Sequence, residues 1–146
     1  MIIAATGHRD GSSVQAMRER TENTLRSIDC SLFITGMAAG FDLISASVAI
    51  ELGVPVLAAK PWTTHKPRKA DRELYAYVIE NAWEVYPVTE AETYPGAWVY
   101  HVRDKWMMNE CDNVLAWWDG RESGGTYETL KALGNKRPVR NIYVPF

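Results

Sequence analysis

Short apolar runs recur along this chain, each ended by glycine or another turn residue and followed by helical periodicity. Residues 2–6 form the first run, and Gly7 ends it. Ser13 then stands where a helix cap is expected. Val14, Met17, Thr21, Leu25 and Ile28 follow at three- and four-residue steps, which makes one apolar stripe. Leu32–Thr35 is a second run, and residues 36–40 form a small-residue turn. Residues 42–52 are apolar on nearly every side, so that helix is expected to be buried. Gly53 stops it, and residues 54–59 read as a third strand. Beyond a basic loop at 60–69, helices at 70–81, 97–110 and 126–133 alternate with strands at 83–86, 114–118 and 142–144; 87–96 reads as a loop. Such alternation demands an α/β fold, a largely parallel sheet of about five to six strands with helices on both faces. Right-handed crossovers would gather the strand-to-helix loops on one sheet edge, where ligands bind.

Composition sets bounds on function. The 146 residues, 47% apolar and 23% charged, fit one domain spanning 1–146. No apolar run approaches a membrane span, and no basic segment precedes the first apolar residues, so neither a membrane partner nor a signal peptide is expected and the chain reads as cytoplasmic. The net charge of −2 and a pI of about 5.9 argue against a broad nucleic-acid surface, and nucleic acid is not expected as a partner. Cys30 and Cys111 lack metal spacing and His8, His65 and His101 are scattered, so no metal and no obligatory cofactor are expected. Six tryptophans and seven tyrosines are many for this length. Trp98 and Trp106 on one helix could bury surface against a second copy, and a homo-oligomer is expected.

The loops carry the chemistry. Asp119, Gly120, Ser123, Gly124, Gly125 and Thr126 lie between an apolar strand and a helix start. Glycines let backbone approach a ligand, and the unpaired amides and dipole of a helix N-terminus favour a phosphate there. Gly36 and Gly40 serve either close packing or approach to a ribose or phosphate; Asp42 serves as a cap or as an acceptor for ribose hydroxyls. Gly7, His8 and Arg9 follow the first strand directly, and Arg9 can grip a phosphate through two parallel hydrogen bonds. Lys60, His65, Lys66, Arg68, Lys69 and Arg72 face one acid, Asp71, in a stretch that is either a solvated loop or an electrostatic funnel. Arg103, on a helix rich in large apolar groups, requires a carboxylate or phosphate nearby, with Glu128 or the ligand as candidates.

Together these loops resemble the SLOG superfamily, which includes the Lonely Guy phosphoribohydrolases, the Rossmann-like domain of DprA proteins and small stand-alone proteins. Gly7-His8-Arg9 looks like the Gly-His-Arg signature of the small members. Residues 35–42 are similar to their Gly-x-x-x-Gly-x-Asp turn. Arg103 to Met107 with Cys111-Asp112 looks like their Arg-Asn-x-x-Met and Ala-Asp pair. Residues 118–126 are similar to their Trp-Asp-Gly-x-Ser-x-Gly-Thr turn. The resemblance implies a doubly wound, Rossmann-like fold and a nucleotide-type ligand: a nucleoside phosphate, ADP-ribose or an NAD-like molecule, bound by a sensor or binding protein. It offers two alternatives, an N-glycosidase or base-transfer enzyme on a nucleoside 5′-phosphate, and a DprA-like accessory in DNA processing. In the enzymes an Arg and a Glu serve the cleavage. Arg103 matches the Arg. Thr129 stands at the Glu position and the nearest carboxylate, Glu128, comes one residue early, a rotation of about 100° on a helix.

Overall fold

The computed structural model describes residues 1–10 and 12–145. One sheet holds six strands: β1 (Ile2–Gly7), β2 (Leu32–Thr35), β3 (Val56–Trp62), β4 (Glu84–Thr89), β5 (Asn113–Trp117) and β6 (Val139–Asn141). Their order is β4-β3-β2-β1-β5-β6, and every neighbouring pair is parallel. From β1 the chain steps outward through β2 and β3 to β4, then returns to the other side of β1 to lay down β5. Strand order therefore reverses between β1 and β5. In such sheets a crevice opens at that point, outside the carboxyl ends of the strands. Gly7 pairs with Trp117 there, so the loops that follow the two strands emerge side by side.

Five helices cover the sheet: α1 (Val14–Ser27), α2 (Phe41–Glu51), α3 (Arg72–Asn81), α4 (Trp98–Glu110) and α5 (Gly125–Leu133). Successive strand residues point to opposite faces. Phe33 accordingly joins a core with Met17 of α1, Phe41 of α2 and Val78 of α3. Its neighbour Ile34 joins a second core with Met107 and Met108 of α4 and Leu133 of α5. The expected two-faced covering is thus observed. Ser13 caps α1, its hydroxyl accepting from the Ala16 amide at 3.2 Å. Helix α2 lies between α1 and α3 against the sheet, and residues 41–49 are all buried, which is why it lacks a polar stripe. Its Ser45 and Ser47 hydroxyls donate to the Phe41 and Ile44 carbonyls, so their burial leaves no donor unmet.

Three boundaries differ most from expectation, each for a physical reason. Strand β3 runs on through Lys60-Pro61-Trp62, residues that read as the start of the basic loop. Strand β4 continues past Pro87 to Thr89 because it is an edge strand, where a missing N–H costs no ladder bond. Strand β6 is Val139–Asn141 rather than 142–144. All three residues are exposed at the other edge and carry no burial pattern, whereas the apolar Ile142 lies just beyond them with its side chain in the core.

Candidate functional site

The crevice at the β1/β5 switch point is a cleft of about 300 Å³. Three loops and the start of α5 form its walls. Gly7, His8 and Arg9 leave β1; Ala38 and Asp42 come from the β2–α2 turn; Arg121, Ser123, Gly124, Gly125 and Thr126 leave β5; Arg103 and Asp104 reach in from α4. Asp119 and Gly120 belong to the same β5 loop but stand outside the cleft lining, as do Gly36 and Gly40.

Much of the loop chemistry goes into building these walls. A side chain at Gly7 would meet the Phe41 Cβ at 2.6 Å, so only glycine lets α2 begin against β1. Gly40 has φ 77° and sits against the His8 and Arg9 carbonyls, where any Cβ would fall 2.5 and 2.3 Å from their oxygens. The Phe41 amide donates to the His8 carbonyl at 3.2 Å, which fixes the loop after β1 on the start of α2. His8 ties that loop to the one after β5. Its Nε2 lies 3.0 Å from both the Asp119 amide and the Asp119 carboxylate. Asp119 also accepts from the Arg121 amide and guanidinium, which hold its carboxyl well below the usual range. Asp119 and Arg121 thus largely neutralise each other and shape the turn.

One end of the cleft is the start of α5. Gly124 has φ 90° and supplies no side-chain cap, so the first-turn amides keep their donors open. A Cβ on Gly125 would meet nothing within 4 Å, so the space beside this residue is open. Thr126 is buried at the base of the cleft. Opposite stands Arg103, 6% exposed. Its Nη1 donates to the Gly36 carbonyl at 2.6 Å and its Nε to Asp104 Oδ1 at 2.9 Å. Nη2 has no hydrogen-bond partner among the described residues. Arg9 is exposed and has no ion pair among them. These two guanidiniums and the α5 amides are the cleft's available anion grips.

Asp42 is 6% exposed. It does not cap α2, whose N-cap is Gly40; its carboxyl instead accepts from the Ala38 amide at 3.4 Å. Burial pushes this carboxyl up to about 7, and Asp104 pushes the same way, while Arg103 and Arg9 only partly oppose them. A buried carboxyl that titrates near neutrality inside a cleft is a functional-site signature.

Glu128 lies elsewhere. It is exposed and lines a second groove of about 380 Å³ between α4 and α5, with His101, Lys105 and Arg137; this groove shares Asp104, Met108 and Thr129 with the cleft, and Glu128 is on its wall alone. The carboxylate beside Arg103 is Asp104, whose Oδ2 accepts from the Thr129 hydroxyl at 3.2 Å. Thr129 is the residue at the position where the resemblance leads one to look for Glu. The sequence reading missed Asp104; its adjacency to Arg103 was the available signal.

No protein-family model matches the chain, and no curated protein matches it. Solved structures do. DNA processing protein A (DprA) from Streptococcus pneumoniae superposes with a TM-score of 0.71 at 16% identity, over 94% of this chain and 48% of that one. The chain shares its fold with DprA. DprA from Helicobacter pylori gives a TM-score of 0.69 at 13% identity, over 95% of this chain and 63% of that one. The chain therefore spans about half to under two thirds of the DprA chains it matches. The H. pylori structure is described through its mode of binding single-stranded DNA. That finding overturns the exclusion of nucleic acid drawn from the acidic pI. Net charge sums the whole chain and does not report the local field at one crevice, where Arg9, Arg103 and Arg121 stand among Asp10, Asp42 and Asp104. Among the described residues, no helix is long and apolar enough to cross a membrane.

Proposed function

We propose that the chain is a DNA-processing accessory of DprA type that binds single-stranded nucleic acid, seating one nucleotide phosphate in the β1/β5 crevice. The observation that carries this reading is the convergence of Arg9, Arg103 Nη2 and the open α5 amides on one cleft at the switch point of a fold shared with DprA. Each grip donates to a phosphate without choosing a base, which suits backbone recognition. A cytosolic location fits this role. Fluorescence anisotropy with a labelled oligothymidylate tests it. Binding should weaken steeply with salt, and Arg9→Ala should flatten the log–log slope by about 0.7, the share of one phosphate contact on a single strand. Salt-independent binding, or none at low salt, refutes the reading.

A second reading is favoured by the size of the cleft. About 300 Å³ sits at the lower end of small-molecule sites and would take a single nucleotide. Under it the ligand is a soluble nucleoside phosphate, ADP-ribose or an NAD-like molecule, and the protein is a sensor. Competition separates the two: such ligands would displace the oligonucleotide at concentrations where it no longer competes with them.

A further inference from the structure

Next to the crevice lies a smaller groove of about 140 Å³ that shares Arg9, Ala38 and Arg103 with it. The rest of its wall includes His65 and Lys66 from the loop after β3, and Tyr100 from α4. The basic stretch read as either funnel or solvated loop is therefore folded against the site. Its arginine is committed, because Arg68 pairs with Asp71 at 2.7 Å and Asp10 at 3.4 Å. Lys66 is exposed and makes no ion pair among the described residues. Behind the groove is an aromatic cluster. The Trp62 ring meets His65 at 4.9 Å, Tyr94 at 5.1 Å and Tyr100 at 6.0 Å between centroids. The His65 Nδ1 lies 3.0 Å from the Tyr75 hydroxyl. Burial first, and then Arg103, Lys60 and Arg9, push the His65 imidazole down to about 4, so at neutral pH it is an uncharged ring in a positive field.

A cationic groove interleaved with aromatic rings is the chemistry of a single-strand subsite: lysine and arginine take the phosphate and a ring takes the base, whatever its identity. We propose that this groove holds the nucleotide adjacent to the one in the crevice. Tyr100 provides the stacking surface for its base. Arg9, on the shared wall, and Lys66 hold the phosphate between the two units. This inference rests on the single-strand reading of the crevice and extends it from one nucleotide to two, with a defined path from the α5 start toward the loop after β3.

The test compares thymidine 5′-monophosphate with the 5′-phosphorylated dinucleotide pdTdT by calorimetry, on the wild type and on Lys66→Glu, Tyr100→Leu and Tyr100→Phe. The wild type should bind the dinucleotide about tenfold tighter than the mononucleotide, the gain of about one stacked base. Lys66→Glu should abolish the gain, lowering dinucleotide affinity more than mononucleotide affinity, since Lys66 lies outside the crevice. Tyr100→Leu should lower the ratio of the two affinities, and Tyr100→Phe should preserve it. Equal affinity for both ligands in the wild type, or a gain intact in Lys66→Glu and Tyr100→Leu, overturns the second subsite while leaving the crevice reading standing. A wild type that binds neither ligand overturns both.

Discussion

Asp42 is the residue whose burial has the largest measurable consequence. An aspartate that ordinarily titrates near 3.8 is held at about 7 by removal from water, against the partial opposition of Arg103. The sign follows from linkage. Below about pH 4 the carboxyl is protonated in both folded and unfolded chains and costs nothing. As pH rises, the unfolded chain ionises first, and folding must then keep or restore the proton. Stability falls through the window from about 4 to 7 and levels off above it. At about 1.36 kcal/mol per pH unit, the interval between 3.8 and about 7 amounts to about 4 kcal/mol. Replacing Asp42 by Asn keeps the shape and removes the titration. Urea unfolding of wild type and Asp42→Asn at pH 4 and pH 8 measures the effect. The two proteins should be close in stability at pH 4, and the variant should be more stable by up to about 4 kcal/mol at pH 8. A difference that does not change with pH, or a variant less stable at pH 8, would refute the argument that burial governs this carboxyl. The same charge couples to ligand: an anion in the crevice favours protonated Asp42, so anion affinity should decline as pH rises through 7 in the wild type and not in Asp42→Asn.

Adjacent glycines at the α5 start should separate fold from function. Gly124 holds φ 90° and ψ 175°, a backbone region essentially confined to glycine, so Gly124→Ala should cost about 1–3 kcal/mol in thermal or urea melts. A Cβ at Gly125 meets open space, so Gly125→Val should melt as wild type while losing anion binding. Asp104→Asn removes the charge beside Arg103, whereas Glu128→Gln changes a side chain in a different groove. Nucleotide titration should therefore show an altered affinity in the first and none in the second; the reverse result would move the site to the α4–α5 groove. Trp98 and Val102 are exposed on α4; light scattering tests the expected self-association, and a dimer formed through them should return to monomer in Trp98→Glu.

The fold was legible because its signals are local. Strands β1, β2 and β5 are central in the sheet, so burial on both faces wrote them as continuous apolar runs bounded by turn residues. The edges were less legible for the converse reason. Nothing in Val139–Asn141 is buried, and Pro87 hides β4 only if one assumes a ladder bond that an edge strand does not need. The site divides in the same way. The Gly7–Arg9 loop, the Gly36–Asp42 turn and the α5 start could be placed from sequence because chain order and sheet topology bring strand ends together. What each side chain does there could not. Asp119 binds Arg121 and His8, Gly40 accommodates a carbonyl, and Asp42 bonds Ala38 without capping its helix; each role depends on contacts across elements distant in sequence.

The charge of the crevice follows from these pairings and explains why the pI misled. Asp119 and Arg121 cancel each other within one turn. Asp42 lies near its own midpoint at neutral pH and so contributes only part of a charge. Asp104 holds Arg103 through Nε and spends its other oxygen on Thr129, while Nη1 is taken by the Gly36 carbonyl, leaving Nη2 without a hydrogen-bond partner among the described residues. What faces the cleft besides these is Arg9, the Nη2 end of Arg103 and the positive end of α5, with Asp10 at the rim paired to Arg68 at 3.4 Å. A chain with a net charge of −2 can thus leave cationic groups facing one cleft when acids around it are paired with other protein groups or held partly protonated. The consequence is directional: replacing Asp119, already held by Arg121 and His8, should change fold stability more than ligand affinity, whereas removing Arg9 should change affinity more than stability.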